Sequence, residues 1–117
     1  MAKYLLVMVG NEQRWNSMAD DEWHAIDEGH RRLRERAGDG ILADGQLEDS
    51  SKWTTVRAGA DGAQTAADGP FAETKEMIGG FYVIDVPDKQ AAVSLARELA
   101  ETRADHSGVE VIPLVVH

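Results

Sequence analysis

Apolar positions fall into runs and stripes along this chain, and each change of pattern marks an element. After Lys3 the residues Tyr4-Leu5-Leu6-Val7-Met8-Val9 are continuously apolar until Gly10-Asn11, which predicts a strand over residues 3–9. Ala19, Trp23, Ile26, His30, Leu33 and Ala37 then recur at spacings of 4, 3, 4, 3 and 4, one face of an amphipathic helix over about 18–37. Ser17 is placed to cap it, Asp20, Asp21 and Glu22 favour its N-terminal dipole, and Gly38 and Gly40 stop it. Residues 41–47 read as a second strand. Residues 53–57 and 64–67 flank a Gly- and Asp-containing turn at 59–62, the pattern of an added hairpin. Residues 78–86 form a strong strand. Pro87 and Asp88 open a helix over 88–103 with Ala92, Leu95, Ala96 and Leu99 inward, Gly108 breaks, and 109–116 is the last strand.

The order is β-α-β-(hairpin)-β-α-β across one domain of residues 1–117, which predicts an α+β, ferredoxin-like βαββαβ fold with an inserted β-hairpin. The first and last strands do not alternate: Leu5 to Val9 and Val111 to Val116 are apolar on both faces. Two helices cover one face of a sheet, so the other face needs a cover of its own. The same sheet of a second subunit supplies it in a homodimer, with Leu6 or Val111 facing the partner. A long loop folded over the sheet is the alternative.

The densest polar stretch is Asp68-Gly69-Pro70-Phe71-Ala72-Glu73-Thr74-Lys75-Glu76, followed by Ile78-Gly79-Gly80-Phe81-Tyr82-Val83-Ile84. Asp-Gly-Pro makes a turn, and a polar loop fastened to a buried strand is a common place for function. This stretch resembles the signature of the DGPF branch of the YCII-related (YciI-like) proteins, and the similarity runs from Lys3 through residues 40–47 to Pro113. The resemblance implies a ferredoxin-like fold that dimerises into an α+β barrel, and it implies no particular activity. Where the family commonly has Val-Glu-Val-Arg-Pro, this chain has Ile112 in place of the basic residue.

Composition narrows the partners. A net charge of −9 argues against nucleic-acid backbones and anionic membranes. With no cysteine, disulfides, thiolate catalysis and cysteine-based zinc sites are excluded; histidine spacing suggests no metal site, and no cofactor fingerprint is present. No apolar run approaches a membrane span and no signal-peptide pattern opens the chain, so a cytoplasmic protein is expected.

His30 is the sharpest single residue, because an imidazole on an apolar stripe requires a polar partner. Either it is a core-edge histidine satisfied by a backbone carbonyl or it is a proton-transfer group. The wider YCII family carries a histidine in its first helix thought to act with an aspartate, and His30 matches that position. Asp68 is the leading aspartate, as an imidazole-orienting carboxylate or as a cap on its own turn; Asp44 is a second choice. Glu73, Lys75, Glu76 and Phe71 are candidate binding residues, or a salt-bridged loop at the dimer edge. Trp15, Trp53 and Tyr82 could wall a pocket for a planar ligand.

Two functions follow. One is acid/base chemistry of lyase or isomerase type on a small organic molecule, carried by His30 and Asp68. The other is a non-catalytic ligand-binding or regulatory module. Members of the DGPF branch are often encoded beside, or fused to, extracytoplasmic-function sigma factors, so the resemblance ties that second role to such a factor.

Overall fold

The computed structural model describes residues 2–71 and 76–117. In chain order the elements are β1 (Ala2–Asn11), α1 (Glu12–Asn16), α2 (Asp20–Ala37), β2 (Ile41–Gln46), β3 (Thr54–Ala58), β4 (Gln64–Asp68), β5 (Glu76–Val86), α3 (Lys89–Ala96) and β6 (Ser107–Pro113), with a 3₁₀ turn at Ala100–Arg103. Strands β2-β5-β1-β6 form an antiparallel sheet in that order, and β3 and β4 form a separate two-stranded ribbon. This strand order with two crossing helices is the ferredoxin-like arrangement, and the hairpin lies where the pattern placed it.

Register sorts the sheet into two faces, since residues opposite each other point the same way. Leu6 opposes Tyr82 and Val111, and these belong to the core with Leu33 of α2 and Leu95 of α3. Leu6 and Val111 therefore both face the helices, and neither is the outward position expected from the pattern. The outward set is Leu5, Val7, Phe81, Val83 and Ile112. Both helices pack on the Leu6 face, and Ile112 remains 37% exposed.

Three local readings change. Ser17 does not cap α2: its hydroxyl bonds the carbonyls of Gln13 and Arg14 and closes α1, a short helix capped by Asn11 through its bond from the Arg14 amide. Asp88 does cap α3, accepting from the Ala91 amide. That helix, however, ends at Ala96 rather than at 103, because Glu98 and Leu99 bond three residues back and Leu99 turns extended (φ −77°, ψ 129°). Gly108 lies inside β6 rather than before it. Among the described residues no helix is long and apolar enough to cross a membrane.

Candidate functional site

The stripe along α2 is buried only in part. Gly29 and Leu33 are buried, whereas Trp23, one turn from the N-terminus, is 39% exposed. Between this first half of α2 and the inner face of β2 and β5 lies a cleft of about 710 Å³. Gly79 and Gly80 of β5 form part of its floor. Gly79 is the extra residue of a β-bulge opposite Met8 and Val9, and the Trp15 ring lies where its side chain would stand, 2.9 Å from an ideal Cβ. Trp15 is fixed there by its indole N–H, which donates to Ser107 Oγ at 2.8 Å.

His30 stands in the wall of this cleft with both ring nitrogens engaged. Nδ1 lies 2.6 Å from the Tyr82 hydroxyl and Nε2 lies 2.9 Å from Glu101 Oε2. The imidazole side chain is 16% exposed and that of Glu101 8%. Burial pushes the Tyr82 phenol above its ordinary range, with Arg34 opposing that shift and Asp44 and Glu101 adding to it. Tyr82 therefore stays protonated at neutral pH. An Nε2 lone pair facing a carboxylate would be repelled, so the proton belongs on Nε2. Nε2–H then donates to Glu101, and Nδ1 accepts from Tyr82 O–H.

Each partner is placed by backbone geometry. Gly29 lets α2 approach the chain after α3 so closely that a Cβ there would lie 2.6 Å from the Glu98 carbonyl oxygen. Arg36 reinforces this contact through the Ser94 carbonyl and hydroxyl and the Glu98 carboxylate. The break after Ala96 turns Glu101 inward, where a continued helix would not have put it. Asp44 opposes Tyr82 on β2 and so shares the cleft face of the sheet. The Arg34 guanidinium lies 6.0 Å from the Tyr82 ring centroid.

The structure places the other candidates elsewhere within the chain. Asp68 is exposed at the end of β4, opposite Thr54, and does not meet His30. The reason is the separate ribbon, tied back at its base by the Gly69 amide to the Trp53 carbonyl and by the Trp53 indole to the Glu48 carbonyl. Gly69 takes φ +105°, the turn conformation read from Asp-Gly-Pro. Phe71 is 69% exposed, with the Arg57 guanidinium 4.6 Å from its ring centroid. Glu73 and Lys75 lie outside the described residues. Glu76 begins β5 opposite Asn11. Of the aromatic candidates, Trp15 and Tyr82 line the cleft.

A model of the YCII-related domain matches residues 3–115. The chain belongs to the YCII-related family. It is also 41% identical over 63 residues to an uncharacterised protein of Rhizobium meliloti (strain 1021), a match covering 54% of this chain and 50% of that protein. The chain thus spans about half the length of the curated relative it matches. Within this YCII-related protein, His30 of α2 takes its carboxylate from the segment after α3.

Proposed function

We propose that this YCII-related protein performs proton transfer of lyase or isomerase type on a small organic molecule bound in the α2–β5 cleft. The observation that carries the reading is the chain Glu101–His30–Tyr82 at the cleft wall. Glu101 fixes the imidazole by Nε2–H, which leaves Nδ1 as the basic atom. A carbonyl oxygen in the cleft draws the Tyr82 hydroxyl away from Nδ1, and the freed lone pair takes a proton from the neighbouring carbon. The resulting imidazolium is held by the Glu101 carboxylate, and the enolate oxygen by Tyr82 O–H. Return of the proton to another atom of the same molecule, or loss of a leaving group from it, completes either reaction. The two bonds made by His30 are to side chains on the cleft, not to a buried backbone carbonyl, which favours this role over simple packing.

The test is exchange in deuterium oxide. A panel of small enolisable ketones and keto acids, followed by proton NMR, is expected to include one whose exchange the protein accelerates by about 10²–10⁴-fold. His30→Gln is expected to return that rate to the buffer value with an unchanged circular dichroism spectrum. No acceleration across the panel, or acceleration that survives His30→Gln, overturns the reading.

We also propose that two copies pair through the outer sheet face as an α+β barrel, and that the Asp68–Glu76 sequence assigns the chain to the DGPF branch. Ile112 supports the pairing: in place of a basic residue it adds to the apolar face of Leu5, Phe81 and Val83. Sedimentation equilibrium at micromolar concentration is expected to give a dimer of the 12.8 kDa chain, and Val83→Lys a monomer. A wild-type monomer would rule the pairing out.

A further inference from the structure

We propose that the ligand of this cleft is a small organic cation, an amine whose flat apolar body lies against Trp23 and Trp15. The proposal rests on the cleft being the ligand site, not on the proton transfer assigned to it. Carboxylates dominate the described lining: Glu12, Asp27, Asp44, Glu48, Asp49 and Glu101 against the single guanidinium of Arg34. Some of these acids have other duties. Glu12 accepts from the amide and hydroxyl of Ser50, Asp49 from Asn16 and the Ser51 amide, and Glu48 pairs with Lys52.

Others are uncommitted. Asp27 and Asp44 make no hydrogen bond or ion pair with a described residue, and Asp44 stands opposite Tyr82. Glu101 is more than nine-tenths buried: Oε2 holds His30, and Oε1, though without a partner among the described residues, is shut off from solvent, so the acceptors open to a ligand are those of Asp27 and Asp44. An ammonium group is all donor and no acceptor, which matches this surplus of acceptors. Trp23 offers an exposed aromatic surface, a further attraction for a cation. Arg34 argues for an anion instead. Its single charge faces several of opposite sign across one cleft, and a cleft lined mainly by one sign selects the other.

The experiment compares probes of similar shape and different charge: 2-phenylethylamine, 2-phenylethanol and 3-phenylpropionate, titrated at neutral pH and followed by tryptophan fluorescence and by indole N–H shifts. The amine is expected to bind ~10-fold or more tighter than the acid, with the alcohol between them. Asp27→Asn with Asp44→Asn, both exposed and free to be changed without unfolding, is expected to weaken the amine ~10-fold and leave the alcohol unaltered. Equal or tighter binding of the acid overturns the proposal, and so does failure of the amine to bind or indifference of its affinity to the double substitution. Amine binding without ketone exchange would sink the catalytic reading alone. Exchange without amine preference would sink this one alone.

Discussion

Glu101→Ala is expected to lower the unfolding free energy by about 2 kcal/mol, the range for leaving a buried hydrogen-bond donor without its acceptor. Two effects add. The His30 Nε2–H loses its acceptor in a place with little water, and the segment after α3 loses its polar tie to α2. Glu101→Gln should cost about 1 kcal/mol or less, because an amide oxygen still accepts from Nε2–H. The two variants therefore separate the hydrogen bond from the charge. Urea denaturation of each, with His30→Ala and the double variant completing a cycle, gives the coupling directly; about 1–2 kcal/mol is expected. Additive losses would mean that His30 and Glu101 do not act as a pair, and the proton-transfer reading would lose its base.

The fold was legible because its elements are carried by patterns that survive tertiary packing. The stripe from Trp23 to Ala37 and the first and fifth strands kept their places, whereas the last runs Ser107–Pro113 rather than 109–116, and the turn at Gly69 needed only local chemistry. The site was legible by half. His30 stood out because an imidazole on an apolar stripe must be satisfied. Tyr82 carried the same signal: it alternates with Ile84 and Val86 on a core face, where a phenol needs a partner, although the sequence pattern alone suggests no more than a pocket wall. Glu101 carried no such signal. Extending the inner face of Ala92, Leu95 and Leu99 by helical spacing passes over position 101. The helix stops without glycine or proline, held by Arg36 and by the contact at Gly29, neither of which a one-dimensional pattern contains. Asp68 drew the carboxylate assignment because its motif is conspicuous, but a motif does not say in which direction a hairpin projects.

The close approach at Gly29 is the feature on which the whole site depends, and Gly29→Val should be severe. Glycine within a helix ordinarily lowers stability by about 1 kcal/mol relative to alanine, so replacing it would raise stability if space allowed. Here the added Cβ would lie 2.6 Å from the Glu98 carbonyl oxygen and 3.0 Å from the Ala100 nitrogen. Both are backbone atoms, which cannot rotate away, so the 98–101 segment must move off α2. The expected loss is about 3 kcal/mol, or ~12 °C in melting temperature, well above the gain in helix propensity. Glu101 moves with that segment, so the His30 imidazole resonances should shift toward those of Glu101→Ala. Ala25→Val, exposed on the same helix, is the control, and its stability should change by less than about 1 kcal/mol. If Gly29→Val instead matches the control, α2 and the chain after α3 are not in contact as described, and neither Glu101 nor the cleft wall it completes would be where proton transfer requires it.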